Sequence, residues 1–224
     1  MAFSFQPRAM RFLPPFVGAL LVACVACSDQ GTPGVQPVDA DDDEAGAGDL
    51  DGGGGGSDAG IAACEVVLAD PPNEGAMHTG FCTPVSYGSN PPSSGTHYSS
   101  WPIFRAYDKP VPWGFLVHGL EHGAVVIAYN CPDGCAADVA AAKALMAKTP
   151  TRSCGRPPVI LTPDPTLTVR FAAASWGHTL RAPCFDRAAF ASFITAHINR
   201  GPELIDGDCG ALDNEATGWC PASS

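Results

Sequence analysis

The sequence predicts a single small α+β domain, disulfide-rich, with a mainly antiparallel sheet, elements in the order β-α-β-β-α, two helices and a proline- and aromatic-rich loop layer at its N-terminal side. Three observations carry that prediction. Residues 124–129 (AVVIAY) form a short apolar run rich in β-branched side chains, as a buried strand requires. Two later segments repeat their apolar residues at helical spacing. Eight cysteines lie beyond the first 30 residues, the density of an exported domain stapled by disulfides.

The elements follow in chain order. Residues 1–23 carry two arginines and then an apolar run from Phe12, the pattern of a secretory signal peptide. The run is shorter than the roughly 20 apolar residues a membrane-spanning helix needs. Leu21-Val22-Ala23-Cys24 matches a bacterial lipobox, so Cys24 is the candidate lipidation site and the mature chain is expected to be a lipoprotein anchored in a membrane of the bacterial cell envelope. Residues 24–61 are acidic, glycine-rich and without hydrophobic period, as expected of a disordered tether. Nine acids and two bases lie in residues 1–60, so this part holds seven of the net eleven negative charges. The remaining chain is only mildly acidic, with no basic footprint for nucleic acid.

The folded domain is expected over residues 62–224. Residues 70–115 combine many prolines with Trp101, Phe104, Tyr107, Trp113 and Phe115, which predicts an ordered loop layer whose aromatics are buried against the sheet. Residues 136–148 place Val139, Ala142, Leu145 and Met146 on one helical face. Residues 159–162 and 167–176 read as two strands joined by Pro163-Asp164-Pro165, a hairpin. Asp186 caps a last helix whose Phe190, Phe193, Ile194, His197 and Ile198 form an apolar stripe ending at Gly201-Pro202. The spacing of the cysteines suggests local pairs: Cys64 with Cys82, Cys131 or Cys135 with Cys154, and Cys184 with Cys209 or Cys220. Spacing leaves that connectivity open among 105 possible pairings.

The chemistry concentrates in Val117-His118-Gly119-Leu120-Glu121-His122-Gly123. His118 and His122 are four apart, so one helical turn puts both imidazoles on one side, where they can share a cation. H-x-x-E-H is also the spacing of one group of zinc peptidases. Those enzymes set it inside a long helix and take a further glutamate from another, whereas Gly119 and Gly123 bracket this segment and a strand begins at Ala124; a single helical turn is the expected geometry. His97 sits in a rigid turn, Asn90-Pro91-Pro92-Ser93-Ser94-Gly95-Thr96-His97-Tyr98, that can hold its ring in one orientation. His78, His178 and His197 read as surface or core residues. No G-x-S-x-G elbow, phosphate loop or dinucleotide fingerprint occurs.

These two blocks, with Ser175-Trp176-Gly177 and Gly201-Pro202-Glu203, resemble the bacterial domain-of-unknown-function 3105 family over residues 85–204. The family usually has proline where Thr96 stands and asparagine where Gly119 stands; neither difference removes a candidate ligand. The resemblance implies an exported or membrane-tethered protein, and it brings no established reaction. His97, His118 and His122 are the histidines on the matching blocks, with Glu121 beside them. The expectation is a copper or zinc site built from these three imidazoles, with Glu121 as ligand, as acceptor for a histidine N–H, or as general base. The competing expectations are a buried hydrogen-bonded cluster in a structural or binding module, and a metal-dependent hydrolase.

Overall fold

The computed structural model describes residues 64–220. The expected signal peptide, Cys24 and the whole of the tether lie outside the described residues. No helix among those described is long and apolar enough to cross a membrane.

A five-stranded sheet in the order β1-β7-β6-β4-β5 organises the domain. Its interior strand β4 (Val125–Tyr129) is buried on both faces, as its unbroken apolar run requires. Helix α2 (Ala136–Met146) then returns the chain so that β5 (Val159–Pro163) pairs with β4 in parallel. On the other side of β4 lies β6 (Phe171–Ser175), antiparallel, followed by β7 (His178–Ala182) and the short edge strand β1 (Val67–Ala69). Helix α3 (Arg187–His197) begins where Asp186 accepts the Ala189 N–H at 2.9 Å. A second sheet, β2 (His78–Thr79) with β3 (His97–Tyr98), is parallel and sets His78 opposite His97.

The strands alternate their side chains between two packed layers. Val125, Ile127, Leu161, Phe171 and Leu180 meet α2 and α3 through Leu145, Met146, Phe190, Phe193 and Ile194. On the opposite face Val126, Ala128, Ile160, Ala172 and Ala174 meet the loop layer. There Phe104, Tyr107 and Phe115 are fully buried, and Trp101 and Trp113 are partly buried against them.

The α+β class and mainly antiparallel sheet are those expected, and three details differ. A third helix, α1 (Trp113–Glu121), lies in the loop layer and contains most of the histidine motif, where a lone turn was expected. The expected hairpin between residues 159–162 and 167–176 does not form. The turn at Asp164 is real, with Thr166 N–H donating to its Oδ1 at 2.9 Å, but it carries the chain over the end of β4, which separates β5 from β6. The hairpin instead joins β6 to β7 through Trp176-Gly177, where Gly177 takes a φ of +77°.

The local cysteine pairs are also corrected. Cys64–Cys184, Cys82–Cys220, Cys131–Cys135 and Cys154–Cys209 stand at disulfide distance, so only one pair is local. Cys64–Cys184 ties the segment before β1 to the one after β7, which the pairing of those two strands brings together. Cys82–Cys220 ties the loop layer to the end of the described chain, where Trp219 packs on Tyr107 and Phe115.

Candidate functional site

The site is built where α1 meets the turn before β3. Helix α1 follows Pro112 and is buried from Gly114 to Glu121, which suits a helix inserted between a loop layer and a sheet. Two glycines allow that depth. Gly114 faces the Tyr98 ring so closely that a Cβ would overlap it, and Gly119 faces Ile160 on β5. The helix ends at His122 because Gly123 takes a φ of +80° and its N–H returns to the Leu120 carbonyl at 2.9 Å. His118, Glu121 and His122 therefore occupy the last turn and its cap, all buried.

The turn delivers His97. Gly95 has a φ of +115°, and its N–H bonds the Gly75 carbonyl at 2.8 Å. The His97 N–H then bonds the Met77 carbonyl at 2.9 Å, which locks β3 against β2. The fully buried His97 ring donates from Nδ1 to the Gly95 carbonyl at 2.8 Å and turns Nε2 to Glu121 Oε2 at 2.9 Å. His118 donates from Nδ1 to the Tyr98 carbonyl and turns Nε2 to His122 Nε2 at 2.9 Å. A carbonyl can only accept, so these two bonds put the proton on Nδ1 and leave both Nε2 atoms to face inward.

His78 completes the cluster. Its Nε2 is 3.5 Å from Glu121 Oε2, and its ring lies parallel to His118 with centroids 4.8 Å apart. Its side chain is 45% exposed, which makes it the opening of the cluster to solvent. His78, His97, His118 and Glu121 can each present one donor atom with all four atoms within 4.8 Å of one another. Nothing in the sequence singled out His78: its place depends on a two-residue strand pairing that leaves no periodic signal. His122 is at hydrogen-bond distance from His118 but stands outside that group of four; it joins Glu121 and Glu203 in a second one. Trp101 lies over both rings, 4.6 Å from His118 and 4.1 Å from His122, while Trp176 meets His97 edge-on.

Elsewhere, His178 Nδ1 lies 2.6 Å from Asp70 Oδ1, and its ring meets that of His197 at a tilt with centroids 4.2 Å apart. These two histidines do not reach the cluster.

Burial pushes the His118 imidazolium pKa down to about 4; the Tyr98 carbonyl opposes that shift, and His122, His97 and His78 reinforce it. Burial also lowers that of His122, against the carboxylates of Asp208, Glu121 and Glu203. Neutral imidazoles are the form that ligates a metal. The depressed value also fixes a sign for the metal-free protein. Unfolded chains take up the His118 proton as pH falls below 6.5, whereas the folded protein resists until about 4. Stability present above pH 6.5 is therefore lost between 6.5 and 4, by about 3 kcal/mol if His118 acts alone. Urea unfolding with chelator at stepped pH checks this: His118→Gln should flatten the fall, and an unchanged slope would remove His118 as its source.

A histidine and carboxylate donor set of this kind fits zinc or copper(II), and the fixed Nδ1–H donors match the outer hydrogen bonds by which proteins orient metal-ligating histidines. Two donors on one tetrahedral zinc at about 2.0–2.1 Å stand about 3.3–3.4 Å apart, close to the separations at Glu121 Oε2.

Fold and site together define a small α+β domain whose loop layer gathers four imidazoles and one carboxylate, all but His78 buried, against the sheet. The chain belongs to the family described as "Protein of unknown function (DUF3105)", which matches it over residues 78–208. No curated protein and no solved structure matches the chain.

Proposed function

We propose that this protein is an exported lipoprotein of the bacterial cell envelope that binds a transition metal, copper or zinc, through His97, His118 and Glu121, with His78 on the open side. The observation that carries the reading is the pair of fixed tautomers. Gly95 and Tyr98 carbonyls take the Nδ1 protons of His97 and His118, which leaves the His97 Nε2 lone pair facing the Glu121 carboxylate and the His118 Nε2 facing His122 Nε2, all in a buried space. A lone pair facing a carboxylate at 2.9 Å is a poor contact without a cation or a proton between them, and a divalent ion supplies one at lower cost than a buried charge left unpaired. His122, expected as a third ligand, lies against His118 and supports its ring. Anchoring at Cys24 would hold the domain to a membrane surface.

The same contacts support a second reading, in which a proton shared between His97 and Glu121 makes the cluster a structural tie between the loop layer and α1. Elemental analysis separates the two. The full chain should be recovered from the membrane fraction with close to one copper or zinc per chain, and His118→Ala should carry less than a tenth of that. Metal-free protein whose melting temperature ignores added chelator and added metal would support the structural tie instead.

A further inference from the structure

The cluster continues past Glu121 into a second set of donors. Gly201 lies so close to the end of α1 that any Cβ there would collide with the Glu121 carbonyl and the Gly123 amide. Two residues on, the Glu203 N–H bonds that same Glu121 carbonyl at 3.1 Å, which stations Glu203 at the helix end. Glu121, His122 and Glu203 can each place one donor atom within 4.8 Å of the other two. Glu121 is the one residue shared with the first group. Both contacts from His78 and His97 fall on its Oε2, leaving Oε1 as a further donor.

Acidic residues at a helix end are common and do not make a site by themselves. Here a buried nitrogen lacks its partner. In the metal-free protein the His118 Nδ1 proton is committed to Tyr98, so the contact between the two Nε2 atoms closes only if His122 carries its proton on Nε2, and an ion on His118 Nε2 would take the place of that hydrogen bond. That tautomer leaves His122 Nδ1 as a bare lone pair, on a residue only 2% exposed and with no hydrogen bond. It points to Asp208 Oδ2 at 3.9 Å, a buried oxygen that is likewise without a hydrogen bond. Two electron-pair donors facing each other in a buried space call for a cation or a proton donor between them.

Arg152 is the nearest positive group, and it is otherwise engaged. It donates to the His122 carbonyl at 2.7 Å, the Asp208 carbonyl at 2.9 Å and Asn199 Oδ1 at 2.9 Å, and stands 3.8 Å from Asp208 Oδ2. Glu121, Glu203 and Asp208 set three carboxylates against one guanidinium, an excess of negative charge that favours a cation here.

We propose that Glu121, His122 and Glu203, with Asp208 at the edge, bind a second divalent transition-metal ion, so that Glu121 bridges a two-ion centre. The oxygen-rich donor set, with one imidazole, suits manganese, iron or zinc over copper(I). This inference rests on the metal reading of the first cluster, and its failure is separable from the failure of that reading.

The test titrates the full-length, disulfide-intact protein with zinc and counts ions per chain by native mass spectrometry, beside Glu203→Gln and His97→Ala. Glu203 is exposed, so its amide variant keeps the backbone contact to Glu121 and should fold with an unchanged melting temperature without metal. The expected result is two zinc ions in the unmodified protein and one in Glu203→Gln, with the second binding step at least tenfold weaker. One ion in both proteins, or two in both, overturns the second position and leaves the first standing. No ion in any of them overturns both; loss of only the first ion in His97→Ala identifies which step belongs to which group.

Discussion

Gly201→Ala is expected to lower the melting temperature by roughly 6–12 °C, the equivalent of about 3 kcal/mol for a domain of this size. Few surface-loop glycines carry that cost. The new methyl group would meet the Glu121 carbonyl and the Gly123 amide, which are backbone atoms at the end of a buried helix and cannot rotate away as a side-chain tip would. Relief requires either the 199–203 loop or the end of α1 to move. The first breaks the Asn199 N–H bond to the Gly123 carbonyl at 2.8 Å and the Glu203 N–H bond to Glu121, and the second displaces Glu121 from His97. Gly134→Ala is the control. Gly134 has a positive φ, at +85°, which Gly201 does not, and nothing lies within 4 Å of its added Cβ, so only a backbone penalty of about 1 kcal/mol applies there. A loss at Gly201 no larger than that at Gly134 would contradict the expected collision with the end of α1.

Glu121→Gln is expected to weaken metal binding by about a hundredfold or more while the domain stays folded. Glu121 is 1% exposed, and its Oε2 meets both His97 and His78. The amide keeps the volume and removes the charge and one electron-pair donor. Whichever way the amide turns, it presents either an NH2 group to the first set of donors or one to the second. Competition with a chromophoric chelator measures the change. Affinity within threefold of the unmodified protein would mean that the carboxylate serves the hydrogen-bond network and not an ion.

Much of the scaffold was legible because it obeys one period at a time. Helix α3 alternates a buried stripe with a polar face and announces its start with Asp186. Helix α2 and strand β4 were likewise readable from spacing and from an unbroken β-branched run. Helix α1 was not, and the reason is physical: it is buried on every side, so it has no polar face to reveal its period, and its glycines at 114 and 119 argue locally against a helix while allowing the close packing that stabilises it. The cysteines misled for a similar reason. Nearness in sequence was the only local guide, yet Cys64 meets Cys184 across 120 residues because β1 pairs with β7.

The site divides along the same line. His97, His118, Glu121 and His122 could be singled out because they sit in short blocks dense in glycine, proline and histidine. The structure brings His97, His118 and Glu121 together, and places His122 against His118 in a second group with Glu121 and Glu203. His78 and Asp208 carried no signal, since each reaches the cluster through tertiary contacts alone: one by pairing with β3, the other by the loop that Arg152 ties to the His122 carbonyl.

The central claim is that the imidazoles of His97 and His118, with Glu121, hold a metal ion. X-ray absorption at the zinc edge of the full chain, loaded with one equivalent, examines the ion's own surroundings. The account predicts a shell of nitrogen and oxygen at about 2.0–2.1 Å with outer scattering from at least two imidazoles, reduced to one imidazole or none in His97→Ala. A sulfur shell at about 2.3 Å, or a light-atom shell without imidazole scattering, would contradict it.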